Sequence, residues 1–197
     1  MKANQGRTIT LGDLAQLTLR GNVAFAVRCA HRIRPRFQLP SDAPRRREQI
    51  AAIDAAIRVA TAYCQGQPLE PGRAAAAARA AAAVADETCE STSFAGFGAV
   101  RAAEAAANAE EQVRNPTDSA LTEVVAAAFG AARVVAANAS VYELDLIVRA
   151  MFADMEKLRS LQARASHDLG PAVDPSESGP LGPLWPEGAP MCFSATA

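Results

Sequence analysis

Residues 73–85 read RAAAAARAAAAVA, a run in which nearly every side chain is a single methyl group. Alanine heads the helix-propensity scale and gives a strand almost nothing to pack. A chain organised around such a run is drawn towards helix. The bias extends beyond the run, because roughly a quarter of the chain is alanine, far above average usage. Alanine also buries little area. At about 25 cal/mol per Å² of apolar surface, an alanine-faced helix gains much less from burial than a leucine-faced one. Such helices must rely on propensity and on close approach to their neighbours. With 197 residues, the chain can form one domain with a real core, or a domain plus a tail.

The remaining segments can be read from caps, stops and periodicity. Thr10 followed by Asp13 marks a helix start and predicts a short helix over 11–18 carrying Leu11, Leu14 and Leu17. Gly21-Asn22 reads as a break. A second helix over 22–34 carries Val23, Phe25, Ala26, Ala30 and Ile33, and Pro35 ends it because the residue before proline avoids the α region. The proline-rich connection RPRFQLPSDAPRRR follows, with Phe37 and Leu39 as its anchors. Over 45–65, Ile50, Ile53, Ile57, Ala60 and Cys64 form one apolar stripe, stopped by Gly66 and Pro68. Alanine-rich helices are expected over 72–89 and 93–113, with a break at Ser91–Ser93. A helix over 118–137 carries Leu121, Val124, Val125, Ala128, Ala132 and Val135. Ser140 and Glu143 match a capping box that launches a last helix over 141–166, faced by Ile147, Met151, Met155 and Leu158. The reading is all-α: an alanine-rich bundle of six or seven helices over 1–169, with a Pro/Gly-rich C-terminal extension over 170–197.

The chemistry-bearing patterns are few. Cys29 and His31 stand two apart on a helix and face different sides, so they cannot share a metal there. The chain has no HExxH, ExxH, GxSxG, GxxxxGK[ST] or GxGxxG. His167-Asp168 sits at a helix end, where a histidine meets the dipole. Glu104, Glu110 and Glu111 read as solvent-facing. The glycines of AGFGAV, 95–100, read as permitting close helix contact or as a weak helix start. The expectation is therefore no enzyme, no cofactor and no metal. Cys29, Cys64, Cys89 and Cys192 are scattered without a CxxC, and MKANQGRTITLGDLAQ has no apolar core of a signal peptide. No charge-free run of about 18 apolar residues occurs. A cytoplasmic protein with reduced thiols and no membrane association is expected.

Charge is the uneven feature. Residues 1–60 carry 11 Lys/Arg against 4 Asp/Glu, and residues 61–197 carry 9 against 17, giving +7 and −8 and a net −1. Arg28, Arg32, Arg34, Arg36, Arg45, Arg46 and Arg47 gather around the proline-rich bend. Such a group can meet acidic segments of its own fold, an acidic protein surface or phosphates. Aromatic interleaving is thin, so nucleic acid is the disfavoured partner. Three arginines at 45–47 stand at a helix N-terminus, against the dipole, and call for an acidic neighbour. The second candidate contact is the tail. GPLGPLWPEGAP, 179–190, holds the only tryptophan, Trp185, next to Leu184. Proline excludes helix there, so Leu184 and Trp185 either fold back onto the bundle or dock a partner.

The succession VAFAVRCAHRIRP, a basic Pro-rich bend, IDAAIRVATAYCQGQPL and AAAAARAAAA resembles the alanine-rich, all-helical immunity proteins of bacterial polymorphic toxin systems. The resemblance covers about residues 20–113. It implies a non-enzymatic cytosolic protein that binds and neutralises a cognate toxin. The competing expectation is a structural adaptor or oligomerisation scaffold in a bacterial signalling or defence assembly, which would self-associate or take several partners.

Overall fold

The structure, a computed structural model, describes residues 8–88, 90–140, 142–162 and 168–193. Among them are seven α-helices and no strand: α1 Leu11–Leu14, α2 Leu19–Ile33, α3 Arg46–Cys64, α4 Arg73–Glu87, α5 Glu90–Arg114, α6 Asp118–Ala137 and α7 Leu144–Leu161. Short 3₁₀ turns follow α2 (Arg34–Arg36) and close the tail (Met191–Phe193). The all-α bundle expected from composition is the observed architecture.

Two helices organise it. Helix α5 packs against α4, α6, α2 and α3, and buries Ala95, Ala99, Ala102, Ala103, Ala105, Ala106 and Ala109. Its glycines allow the close approach that alanine helices need. A methyl group added to Gly98 would lie 2.5 Å from Ile33 Cγ2, and one on Gly96 would lie 3.2 Å from Ala85 Cβ. Helix α2 is surrounded on every side, and only Arg20 and His31 escape full burial. A helix buried all round has no solvent face for its polar residues, so Asn22, Arg28 and Arg32 lie inside.

Several boundaries differ from the sequence reading, each for a local reason. The expected break at Gly21-Asn22 is the first turn of α2. Thr18 caps it, its hydroxyl accepting from Gly21 N at 3.2 Å, while Asn22 Nδ2 donates back to the carbonyls of Leu17 and Thr18. That cap shortens α1 to one turn. Thr10 and Asp13 close a reciprocal capping box on α1. At its other end α2 runs into the 3₁₀ turn, so Arg34 is helical (φ −51°, ψ −40°) although Pro35 follows. Ser91–Ser93 lies inside α5, which starts at Glu90, and the Thr92 hydroxyl donates to Gln38 O at 3.2 Å. Glu143 is the N-cap of α7, and Ser140 Oγ donates to its carboxylate at 2.6 Å, so the Ser140–Glu143 pair closes the turn before the helix. Val141, the expected first helical residue, lies outside the described residues, as do Cys89 and His167. Helix α6 is long and apolar enough, by length and composition, to cross a membrane; here Val124, Ala128, Ala131, Ala132 and Val135 face the bundle core.

The tail belongs to the bundle. Asp168 O and Leu169 O accept from Leu19 N and Arg20 N, satisfying amides in the first turn of α2 that have no partner within the helix. Val173 N donates to Cys64 O at 2.8 Å and closes the carboxyl end of α3. Leu181, Val173 and Phe193 are buried with the helices.

Candidate functional site

The seven arginines expected as one basic group meet three fates. Arg28 and Arg32, one turn apart on α2, are buried against Asp154 of α7. Arg28 grips that carboxylate with two nitrogens, at 3.1 and 2.8 Å, and Arg32 Nη2 reaches it at 2.6 Å. Two cations against one anion leave the cluster one charge positive. The tail supplies further acceptors, although Arg32 Nη1 is buried without a partner. Arg28 donates to Gly182 O and Pro183 O, each at 2.7 Å, and to Pro175 O at 3.4 Å. Arg32 donates twice to Leu184 O, at 3.1 and 2.8 Å, and once to Ala150 O of α7 at 3.4 Å.

This geometry answers why a tryptophan sits among prolines. Proline denies the segment a helix and its own amide donors, so extended carbonyls are left free to accept from arginine forks. Trp185 lies over Arg32, with the guanidinium carbon 5.3 Å from the ring centroid, and its ring meets Phe193 at 5.4 Å and 44°. Leu184 contributes its carbonyl, and its side chain is only half-buried. Lys157 Nζ donates to Leu181 O at 2.6 Å, and Arg149 pairs with Glu187 at 3.2 Å. Arg28 and Arg32 are therefore turned to the tail rather than to solvent, while Leu184 and Trp185 over them are half-buried.

Arg34 and Arg36 form the second group. Arg34 pairs with Asp54 of α3 through two nitrogens, at 2.6 and 3.1 Å, and Arg36 donates to Asn138 O while its guanidinium sits over Phe193. Arg45, Arg46 and Arg47 form the third group and are exposed. The acid that their helix-terminal position calls for is Glu48, which binds Arg45 Nε at 2.9 Å, with Glu87 acting at longer range. Arg45 itself takes a left-handed backbone (φ 57°).

Asp154 is the functional residue that sequence reading missed. The available signal was its position on the Ile147–Met151–Met155–Leu158 stripe, where a carboxylate must find an internal cation. The other buried ionisable groups in this region are subdued by burial. The Cys29 thiol, 3.8 Å from Met151 Sδ, is pushed up to about 12 by desolvation. His31 is held below the usual imidazole value, first by burial and then by Arg28. Among the described residues, no three His, Cys, Asp or Glu side chains converge as a metal site would require.

Two open grooves remain on the surface. The larger, about 540 Å³, runs between α5 and α6 and is lined by Arg101, Glu104, Asn108, Glu123, Phe129 and Arg133 over an alanine-glycine floor. Arg101 pairs with Glu104 at 2.7 Å and leans over Gly130; Arg133 and Glu123 are exposed. A methyl group on Gly130 would lie 3.0 Å from the Arg101 side chain, so the small residue lets that arginine lie down against the floor. The smaller groove, about 410 Å³, lies where the end of α5 meets α3 and the start of α2. Comparison of the chain with protein-family models, with curated proteins and with solved structures finds no match.

Proposed function

We propose that this chain is a non-enzymatic protein-binding module that neutralises a cognate bacterial toxin by stoichiometric occlusion, as the sequence resemblance implies. The observation that carries the reading is the α5–α6 groove. Its rim holds Arg133 and the Arg101–Glu104 ion pair towards one end and Glu123 towards the other, with Phe129 between them. A floor of Ala126, Ala127 and Gly130 lets a partner's backbone come close. Charges of both signs around an apolar centre suit a protein surface of complementary charge and fix its register. The partner element that fits is a helix with an acidic end over Arg133 and a basic end over Glu123. The exposed arginines 45–47 stand apart from this groove, available to steer an acidic partner during encounter.

The second reading, a self-associating scaffold, rests on Tyr142, 93% exposed, next to Leu144 at the start of α7. A lysate capture with the full chain separates the two. The inhibitor reading expects one stoichiometric partner whose toxic activity is titrated to zero, and loss of that partner in Glu123→Lys/Arg133→Glu with the helical signal unchanged. Recovery of the chain's own copies alone, lost in Tyr142→Ser instead, overturns it in favour of the scaffold.

A further inference from the structure

The smaller groove carries an unspent set of hydrogen-bond donors. Its wall is apolar, from Leu69, Pro71, Val113 and Leu169, and its polar groups are Arg20, Tyr63, Gln67, Glu110 and Arg114. Tyr63 is 9% exposed, and its hydroxyl is buried with no hydrogen-bond partner. Arg20 Nε is likewise buried and unpartnered, although Nη1 of the same side chain donates to Gly170 O at 3.1 Å. The charges of Arg20 and Glu110 both act on the Tyr63 phenol, which lines the same groove. Orphaned polar groups inside a fold are rare and costly, which makes two at one groove informative.

The backbone acceptors nearby are already taken. At the carboxyl end of α3, the carbonyls of Thr61, Ala62, Tyr63 and Cys64 accept from the amides of Gln65, Gln67, Gly66 and Val173. Two orphaned donors therefore remain, the Arg20 Nε–H and the Tyr63 O–H, beside Arg114 and Glu110. Glu110 is half-buried, and desolvation raises its carboxyl above its ordinary value, with Arg114 opposing. Arg114 is drawn partly aside by Glu111 at 3.3 Å. A cavity of this volume is in the range that holds a small organic molecule.

We propose that this groove binds a small amphipathic carboxylate, whose anionic head opens the groove wall far enough to accept from Arg20 Nε and the Tyr63 hydroxyl, both closed to solvent in its absence, and whose apolar body lies against Leu69, Pro71, Val113 and Leu169. The site is separate from the α5–α6 groove and does not depend on the protein-binding reading. Arg20 holds the tail at Gly170 and donates to the ligand, so an occupied site also braces the point where the tail leaves α2.

The test is calorimetric titration of the full chain with octanoate, with octanamide as the neutral match. Octanoate is expected to saturate, and octanamide to bind roughly tenfold more weakly or worse, the difference that hydrogen bonds to a charged group make. Tyr63→Phe removes a hydroxyl with no partner to lose, so it is expected to melt like the parent and to weaken octanoate several-fold. Glu110→Gln is expected to tighten octanoate by removing the one carboxylate facing the head group, and to leave octanamide unchanged; a merely structural role for Glu110 would not produce that selectivity. Equal affinity for octanoate and octanamide overturns the proposal, as does the absence of saturable binding up to about 1 mM, the limit of a weak specific site. Unaltered octanoate affinity in both Tyr63→Phe and Glu110→Gln overturns it too.

Discussion

The two halves of this bundle are held together by opposite means. Around α5, alanine and glycine let backbones approach closely, and the residues it buries against α4 and α6 are almost all alanine. Around α2, two arginines and an aspartate lie at the centre, and the tail is wrapped over them by its carbonyls. The first interface is cheap to form but gains little per residue, since alanine buries little area. The second interface commits charges that must all be satisfied together. The difference assigns the tail a structural duty: it supplies acceptors for cations that one carboxylate cannot neutralise.

The largest break of this comparison is Asp154→Ala, which strands two buried guanidinium groups. It is expected to destabilise by about 3–5 kcal/mol, measured by urea unfolding. A sharper version replaces the whole cluster, Arg28→Met, Arg32→Met and Asp154→Leu. An isolated buried ion pair can be exchanged for apolar groups at little cost. Here the carbonyls of Gly182, Pro183 and Leu184 would lose their donors, so the triple variant is expected to remain less stable than the parent and to release the tail. On the alanine side, Gly98→Ala brings a methyl group against Ile33 and is expected to cost about 1–3 kcal/mol by overpacking. Thr117→Ala removes the N-cap of α6, whose hydroxyl accepts from Ala120 N, and is expected to cost about 1 kcal/mol in the same assay.

Acid makes the finest cut. The Asp174 carboxyl is held below its ordinary value by the Ser176 amide and by Gln65, and Asp13 is held below its own by Thr10. A depressed folded value means that the stabilisation is full above the unfolded value near 3.8 and is lost as pH falls through the folded one. Both carboxylates sit at the tail and at α1, so loosening below about pH 4 is expected there first. The amides of α5 should keep their exchange protection over the same range.

How much of this was legible depended on whether the signal was local. Helix α6 is read to both ends, because Pro116 precedes it and Asn138 closes it, and the glycines of 95–100 are helix contacts as their setting suggested. The arginines of α2 read as meeting either an acidic segment of their own fold or an outside surface, because their spacing along one helix does not say which. Nothing within α2 reveals that Asp154, 126 residues from Arg28, is waiting for it. Of arginines 45–47, Arg45 pairs locally with Glu48, and Arg46 donates to Leu39 O instead. Glu104 and Glu110 read as solvent-facing, yet each lines a groove and is half-buried, because the faces of α5 are set by its neighbours rather than by its own periodicity. The candidate docking groove shares this origin: Arg101 and Arg133 come together only when α5 lies beside α6.

The claim that the tail is part of the core has a built-in reporter, because Trp185 is the only tryptophan and stands over Arg32. Urea unfolding followed at once by tryptophan fluorescence and by far-ultraviolet circular dichroism tests it directly. Coincident transitions with one midpoint are the predicted result, since the tail cannot leave without exposing the arginine cluster. A tryptophan transition completed at lower urea, with the helical signal intact, would contradict the account and return the tail to the list of free docking elements.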